Sequence, residues 1–254
     1  ALVLRALAAQ SRTDFEAVIA DDGSTAETAT LIGALRPNLP YALQHIWQED
    51  RGFRAAMARN RAIAVARGDY LIFLDGDCIP QCDFVARHAH LAEPGYFVAG
   101  NRILLSERFT SEVVQRQLQL WSWRSPRWLA SYLRGDINRL LPLLRLPDNT
   151  LRKRHNQQWQ GAKTSNLAMW RRDVLGINGF DESFQGWGHE DAELVVRLLR
   201  SGVQRKDGRC SVPVLHLWHT EQDRSFESAN RHRLEQCLES EVTAAQRGID
   251  QYLQ

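Results

Sequence analysis

The chain has few cysteines and no long hydrophobic run. Its four cysteines are scattered, and a chain of 254 residues does not need disulfide bonds for stability, so we predict free thiols. Cys78 and Cys82 are four positions apart, but no second pair follows at the spacing of a zinc finger. No uncharged run approaches the roughly 20 residues that span a bilayer. No signal peptide is recognisable either, so we predict a cytoplasmic protein.

Net charge is also nearly absent. The formal charge of +2 gives no whole-chain reason to expect binding to nucleic acid. A hydrophobic content of 44% and a charged content of 24% are ordinary for a globular protein. A chain of this length can bury a sizeable core as one large domain or as two small ones.

The apolar run Tyr70–Leu74 ends in two carboxylates separated by a glycine, Asp75-Gly76-Asp77. An uncharged run of β-formers predicts a strand that is buried on both faces. Ligands bind at the carboxyl edge of an open α/β sheet. Carboxylate oxygens suit Mg²⁺ or Mn²⁺, which is often completed by substrate phosphates. The pattern therefore indicates a metal–diphosphate site, although Asp-Gly-Asp also occurs as an ordinary turn.

Strand and helix patterns alternate through the first hundred residues. Apolar strands are predicted at 17–20, 43–47 and 70–74, and helices at 2–9 and 25–35. A third helix is predicted over 52–67, with Gly68 as its C-cap. This alternation predicts an α/β fold with a mostly parallel sheet and helices on both faces.

The stretch from Arg108 to Arg154 differs in character. It carries ten Lys or Arg against three acids, a local charge of +7, so the rest of the chain carries −5. It also contains Trp121, Trp123 and Trp128. Such a segment is typical of a helical lid with solvated arginines, and equally of a contact with an anionic membrane surface. Nucleic acid is the weakest of the three interpretations, because the basic excess is local.

A second group of candidate catalytic residues lies just before a predicted helix. The helix is predicted from apolar residues that recur at helical spacing from Ala192 onward. Glu190 and Asp191 fall in the first turn of that helix, where the helix dipole stabilises anions. Gly186 and Gly188 flank Trp187 and allow close backbone approach. An aromatic ring beside paired acids suits a sugar-binding surface, and a carboxylate there can act as a general base. The simpler interpretation is that Glu190 and Asp191 only stabilise the start of the helix.

Two histidines, His216 and His219, lie three positions apart in a strand-like segment. Period-2 alternation would place them on opposite faces of a regular strand. We therefore expect one of them to complete the oxygen-rich site that Asp77 begins.

Together these residues resemble glycosyltransferase family 2, with the GT-A fold. The resemblance is narrower to the branch with a galactosyltransferase-like C-terminal half, which includes bacterial chondroitin-type polymerases. It covers most of the chain except about 106–158. The matching pieces occur in the order of the family, and they are Ala20-Asp21-Asp22-Gly23-Ser24, Gly52-Phe53-Arg54, Ala58-Arg59-Asn60, Asp75-Gly76-Asp77, Thr164-Ser165-Asn166-Leu167-Ala168, the block Gly179 to Asp191, and His216.

The resemblance implies a role for each matched residue. Asp191 would be the general base, and Glu190 would help to position the acceptor. The cation, Mn²⁺ or Mg²⁺, would be held by Asp77 and His216, with His219 as the alternative ligand. The residues implied in donor binding are Asp21, Asp22, Arg54, Arg59, Asp75 and Gly76. Those implied in acceptor binding are Trp187, Gly188 and Asn166.

The implied function is metal-dependent transfer of a hexose from a UDP-sugar to a hydroxyl of a glycan or lipid-linked acceptor, with inversion. The implied setting is biosynthesis of a cell-envelope polysaccharide or lipopolysaccharide at the inner face of the plasma membrane, without nucleic acid. The expected parts are a nucleotide-sugar half (1–105), a basic helical insert (106–158) and an acceptor half (159–254). Members of the family normally open with an apolar strand, which we expect to be missing here.

Two other functions compete with this interpretation. A sugar-1-phosphate nucleotidyltransferase also uses an α/β sheet and acid-bound Mg²⁺. Such an enzyme would need a glycine-rich phosphate-binding loop that carries Lys or Arg. The acidic segment Asp21-Asp22-Gly23-Ser24 is unsuited to holding a triphosphate. A non-catalytic carbohydrate-binding or membrane-binding module would not need both Asp77 and a separate pair of carboxylates.

Overall fold

The computed structural model describes residues 1–253 and has an α/β fold, as the sequence predicts. Strands and helices alternate through the first half, and the second half adds further strands to the sheets. In chain order the strands are β1 (Glu16–Asp22), β2 (Ala42–Gln48), β3 (Tyr70–Leu74), β4 (Cys78–Pro80), β5 (Tyr96–Ala99), β6 (Asn101–Leu104), β7 (Asn166–Trp170), β8 (Gln204–Asp207) and β9 (Pro213–His216).

The helices cover most of the remaining regular structure. Short 3₁₀ turns lie at 36–38, 120–122, 141–143, 150–153 and 249–252. In chain order the α-helices are α1 (Leu2–Ala8), α2 (Ala26–Leu35), α3 (Ala55–Val65), α4 (Phe84–Leu91), α5 (Glu107–Arg116), α6 (Ser125–Leu133), α7 (Arg171–Gly176), α8 (Glu190–Arg200) and α9 (Glu227–Glu239).

The strands form three hydrogen-bonded sheets. Their orders are β1-β2, β3-β7-β5-β8 and β4-β9-β6. Parallel ladders join β1 to β2, β5 to β8 and β6 to β9, while β3, β4 and β5 pair antiparallel with later strands. The parallel ladders hold most of the paired residues, so the sheet is mixed but mostly parallel.

Two local predictions were wrong in detail. Strand β3 is half-buried along its length rather than buried on both faces. Within the described residues it has a partner on one side only, the antiparallel strand β7. Helix α3 begins later and ends earlier than predicted, at Ala55 and Val65. Gly52 has a φ of 82° that takes it out of the helix, and the C-cap is the extended residue Ala66, so Gly68 lies beyond the helix end.

The basic segment 108–154 is helical in part, but its tryptophans are not on the surface. Trp121 and Trp128 are buried with Phe109 of α5 in a cluster that also contains residues of α1, β4, β6 and β9. Trp123 packs against that cluster, with its ring 5.1 Å from the ring of Trp128. The segment therefore folds onto the rest of the chain through its aromatic residues.

A buried asparagine joins the two halves of the chain. Asn60 of α3 is inaccessible to solvent, and its amide donates to the carbonyl of Phe180 at 2.8 Å and to Glu182 Oε1 at 2.9 Å. Its own oxygen accepts the Phe180 N–H at 2.8 Å. A Cβ at Gly179 would lie 2.5 Å from that oxygen, so only glycine fits there. These bonds fix α3 against the loop that leads to α8.

Candidate active site

The site lies where β3 ends, facing the first turn of α8. Asp75 follows β3 directly, and Asp77 lies two residues further on, just before β4. Strand β4 pairs with β9 so that Cys78 lies opposite His216. Asp77 also accepts the N–H of Leu217 through its carbonyl at 3.0 Å. This pairing brings two distant parts of the sequence together.

Both histidines reach Asp77. His216 Nε2 lies 3.4 Å and His219 Nε2 3.3 Å from Asp77 Oδ2. The prediction that only one histidine faces this carboxylate was wrong, because β9 ends at His216 and the period of 2 does not continue to His219. The three side chains offer ligand atoms that lie within 4.8 Å of one another.

This cluster fits a divalent cation. Asp77 Oδ1 is buried and receives no hydrogen bond from residues 1–253, which leaves one carboxylate oxygen without a partner. A buried carboxylate oxygen without a partner is costly, and a cation would satisfy it. Burial lowers the pKa of His216, although Asp77 acts in the opposite direction. The imidazole is thereby kept neutral, which is the form that binds metals.

A half-buried arginine links this cluster to α8. Arg59 Nη1 donates to Glu190 Oε1 at 2.9 Å, and Arg59 Nη2 lies 3.6 Å from Asp75 Oδ1. Its guanidinium also lies over the ring of Phe180, 5.5 Å from the centroid. Burial alone would lower the pKa of Arg59, but Glu190 and Asp75 raise it above its ordinary value. Arg59 is therefore the counter-ion between the two acidic groups.

Asp75 and Asp191 differ in their surroundings. Burial raises the pKa of Asp75; Arg59 opposes this shift, and Asp77 reinforces it. Asp191 lies in the first turn of α8, as predicted. Its Oδ2 accepts the N–H of Thr164 at 3.3 Å, and its Oδ1 lies 3.9 Å from Lys163 Nζ. A carboxylate at this position in the first turn of a helix can act as a general base.

The turn before α8 has an unusual backbone. Gly186, Gly188 and His189 have φ values of 72°, 111° and 73°. A Cβ on Gly186 would lie 2.5 Å from Phe226, so a glycine is required on steric grounds as well. His189 is the N-cap of α8 in the left-handed region, where a non-glycine residue is strained and is often found at functional sites.

Trp187 is half-buried in this turn. The guanidinium of Arg224 lies over its ring, 4.7 Å from the centroid. One face of the indole is therefore covered by a cation, and a sugar can stack only where the ring is still open. Its role in acceptor binding, like that of Gly188, stays a prediction.

The expected nucleotide-binding residues form a second group at the end of β1. Asp21 is buried, and both of its oxygens are used: Oδ1 accepts the Ser24 N–H at 2.8 Å, and Oδ2 lies 2.6 Å from His45 Nε2. Asp22 is more open and accepts hydrogen bonds from Gln48 at 2.6 Å and from the backbone N–H of Arg54. Of the two aspartates, Asp22 is the one placed to meet a ligand.

Three further predicted residues take clear positions. The guanidinium of Arg54 bonds the carbonyl of Glu49 and points toward Asp22. Gly76 is exposed between the two aspartates, and a Cβ there would meet open space. Asn166 is buried, and its Nδ2 donates to the carbonyls of Val212 at 2.5 Å and Asn101 at 3.1 Å.

The side chain of Asn166 has protein partners at both ends of its amide, since its Oδ1 lies 3.1 Å from Nε2 of the buried His88. A Cβ on Gly100 would clash with this side chain. Asn166 therefore positions the segment that begins β6, and its contact with the acceptor stays a prediction.

Comparison with known proteins decides the family. Residues 1–175 match the glycosyl transferase family 2 profile, and residues 150–220 match the profile described as the N-terminal domain of galactosyltransferase. The chain belongs to glycosyltransferase family 2. The sugar-1-phosphate nucleotidyltransferase and the non-catalytic module are thereby set aside. The second match confirms the resemblance to the branch with a galactosyltransferase-like C-terminal half.

Two curated relatives support the family. Validoxylamine A glucosyltransferase from Streptomyces hygroscopicus subsp. jinggangensis (strain 5008) is 30% identical over 206 residues, which cover 75% of this chain and 45% of that protein. Chondroitin synthase from Pasteurella multocida (strain Pm70) is 24% identical over 199 residues, covering 74% of this chain and 20% of the synthase. The chain therefore spans less than half the length of either relative.

Two solved structures show the same fold. S. aureus TarS 1–349 in complex with UDP-GlcNAc has a TM-score of 0.62 and 14% identity, covering 98% of this chain and 64% of that one. GalNAc-T7 with UDP, GalNAc and Mn²⁺ has a TM-score of 0.57 and 15% identity, covering 87% of this chain and 41% of that one. These are GT-A glycosyltransferases, so the predicted GT-A fold is confirmed.

Proposed function

We propose that this glycosyltransferase moves a sugar from a UDP-sugar to a hydroxyl of a glycan or lipid-linked acceptor, with a divalent cation and with inversion. One observation carries the proposal. The cluster of Asp77, His216 and His219 keeps a carboxylate oxygen without a partner, and Arg59 joins the neighbouring Asp75 to the Glu190–Asp191 turn. Arg59 would therefore hold the cation site and the general base at a fixed position relative to each other.

The solved relatives support the choice of donor. TarS has been determined with UDP-GlcNAc, and GalNAc-T7 with UDP and Mn²⁺. In this chain Asp22 would accept hydrogen bonds from the uracil, since Asp21 is buried and Asp22 is more open to solvent. Arg54 would lie near the nucleotide, because it borders Asp22. Asp75 would contact the ribose or the waters of the cation.

The donor set favours Mn²⁺ over Mg²⁺. Carboxylate oxygen suits either ion, but imidazole nitrogen favours a transition metal, and two imidazoles are present. When bound, the cation would offset the negative charge that develops on the leaving diphosphate. Asp77, His216 and His219 would hold it.

The residues of α8 would act on the acceptor. Asp191 would remove the proton of the attacking hydroxyl, since it lies in the first turn of α8, at the positive end of the helix dipole. Glu190 is held by Arg59, so it is not free to act as a second nucleophile. A single displacement, driven by one base, inverts the anomeric centre.

The test is calorimetric titration of UDP into the protein with and without Mn²⁺. We expect Mn²⁺-dependent binding in the wild type, loss of that dependence in Asp77→Ala, and unchanged binding in Asp14→Ala. Asp14 is a matched control because it is exposed and pairs only with Arg12. Failure of the folded wild type to bind UDP under either condition would refute the proposal.

We also propose peripheral contact of the basic segment with an anionic membrane, at the inner face of the plasma membrane. Among the helices of residues 1–253, none is both long and apolar enough to cross a bilayer. The segment nevertheless exposes large apolar side chains among its arginines and lysines, which suits an interfacial position. They are Leu129, Tyr132, Leu133, Leu141, Leu144, Leu146 and Leu151.

Vesicle sedimentation tests this contact. Leu129 and Leu133 lie one turn apart on α6, and Leu133 is 76% exposed. We expect the protein to sediment with vesicles of anionic phosphatidylglycerol more than with neutral phosphatidylcholine, and the double variant Leu129→Ser, Leu133→Ser to lose much of this binding. A double variant outside the segment, Leu31→Ser with Val65→Ser, is the control. Equal binding to both vesicle types would contradict the proposal.

A further inference from the structure

A second cleft opens beside the general base, and it is lined mainly by cations. It encloses about 510 Å³, and its lining includes six arginine or lysine side chains against the single carboxylate of Asp207. This volume is within the range of ligand-binding clefts and is large enough for a sugar unit. Clefts lined by charge of one sign concentrate ligands of the opposite sign. None of the roles predicted from the sequence explains this excess of positive charge.

Half of these cations are engaged by the protein itself. Arg152 donates to four backbone carbonyls, among them those of Pro147 and Asp207 at 3.0 and 2.7 Å. Arg209 forms a forked ion pair with Asp207. Arg205 donates to the carbonyls of Gln158 and Gln160. These three arginines build the wall of the cleft.

The remaining three cations are available to a ligand. Arg102 and Arg139 line the cleft and form no ion pair or side-chain hydrogen bond with other residues in the described range 1–253. Arg139 is fixed in place by its neighbour Asn138, whose backbone and side chain both bond Leu104 at the end of β6. Lys163 touches Asp191 only loosely, at 3.9 Å.

Two neutral groups in the same wall also lack partners. Ser165 is 3% exposed, and its Oγ has no hydrogen-bond partner in the described chain. Asn101 Oδ1 is buried and similarly without a partner in that part of the chain. Both residues line the cleft. Buried polar atoms are nearly always hydrogen-bonded, so unpartnered ones beside a cleft indicate a ligand that is to be bound there.

The position of the cleft decides which substrate it serves. Lys163 lies both in its wall and against Asp191, so the cleft begins where the acceptor hydroxyl must meet the base. We propose that this cleft is an acceptor subsite that takes a sugar bearing an anionic group, a carboxylate or a phosphate, held by Arg139, Arg102 and the Ser165 hydroxyl. This assignment rests on the proposed function and names the class of its acceptor.

The donor phosphates are the competing occupant. Arg102 of β6 pairs with Val214 of β9, two residues before His216, so the inner end of the cleft lies near the cation cluster and the donor. Arg139 lies on the segment after α6 and is exposed, whereas Arg102 is half-buried, so Arg139 lines the outer part of the cleft. Arg139 is therefore the residue that separates the two occupants experimentally.

To test this proposal, three monosaccharides are titrated into the protein and their binding is measured by NMR saturation transfer. They are glucuronate, glucose 6-phosphate and glucose. Each titration is run with the protein alone and with saturating UDP and Mn²⁺. We expect at least one anionic sugar to bind about tenfold more tightly than glucose and to remain bound with UDP present, because a hydrogen bond to a charged group contributes about 1.5 kcal/mol or more. Comparing glucuronate with glucose 6-phosphate identifies the anionic group.

The variants complete the test. Arg139→Ala should weaken the anionic sugar about tenfold and leave UDP affinity unchanged, while Arg116→Ala, an exposed arginine paired with Glu112, should change neither. Equal affinity for glucose and both anionic sugars would overturn the proposal, as would displacement of the anionic sugar by UDP. Failure of UDP to bind would refute the proposed function instead, and the titration without UDP would still decide whether the cleft binds anions.

Discussion

Replacing Arg59 with methionine tests how the two acidic parts of the site are held together. The substitution keeps an apolar stem of similar length and removes the guanidinium. In the wild type that group lies between Glu190 Oε1 at 2.9 Å and Asp75 Oδ1 at 3.6 Å. Glu190 is nearly buried, so the variant leaves a carboxylate without its counter-ion.

The expected loss follows from this burial. Removing one partner of a buried ion pair costs about 3–5 kcal/mol, because the other charge stays desolvated. Asp75 is more open to solvent and adds little. We therefore expect the free energy of unfolding of Arg59→Met to fall by about 3 kcal/mol at pH 7.5.

The loss should also depend on pH. Burial already raises the pKa of Asp75, and Arg59 acts against that shift. Without Arg59 the folded-state pKa rises further above the unfolded value, so the folded variant binds more protons than the unfolded chain. Its stability then increases relative to wild type as the pH falls, and the deficit should be smaller at pH 5 than at pH 7.5.

Urea denaturation at pH 7.5 and pH 5 measures both effects. Arg61→Met is the matched control on the same helix, since Arg61 forms no ion pair within residues 1–253, and it should change stability by less than about 0.5 kcal/mol. An equal deficit at both pH values would show that Asp75 takes no part in the loss and that the pairing of Arg59 with Glu190 accounts for it. Stability equal to wild type would refute the counter-ion role altogether.

Two further predictions concern the base and a buried histidine. Asp191→Asn should lower the transfer rate roughly 100- to 10,000-fold and leave calorimetric UDP binding unchanged, and a rate within tenfold of wild type would exclude Asp191 as the base. Burial lowers the pKa of His88 to about 4. Since this lies below the unfolded value of 6.5, His88 should cost up to about 3 kcal/mol of stability as the pH falls from 6.5 to 4. Denaturation curves of His88→Gln should lack this part of the pH dependence, and an identical slope in both proteins would contradict it.

Much of the fold could be predicted because the local patterns were strong. The run Tyr70–Leu74 predicted a strand, which the structure has, and of the two acids that follow it Asp77 lies beside two histidines. The acids at 190 and 191 were placed correctly in the first turn of α8, since apolar spacing marks a helix start clearly.

The remaining features depend on long-range pairing, which one sequence does not display. Strand β9 ends at His216, and the chain then turns so that His219 also lies beside Asp77. No local sequence pattern predicts that the strand ends there. Asn166 occurs in a recognisable motif, but its amide is used by His88, Asn101 and Val212 from three separate segments. Ser165 occurs in the same motif as Asn166, but Arg102 and Arg139 had no motif, and only the folded chain brings the three residues to one cleft.

The bonds of Asn60 bear on whether the two halves of the chain are interchangeable parts. Because Asn60 in the first half holds the backbone of Phe180 and the carboxylate of Glu182 in the second, Arg59 beside it is set against Glu190 by the same contacts. A chimera that joined residues 1–105 to the acceptor half of a relative would inherit this register only if the relative also supplied the glycine at 179 and the acid at 182. A chimera that combines the donor specificity of this protein with the acceptor specificity of a relative must therefore preserve the contacts between helix α3 and the acceptor half.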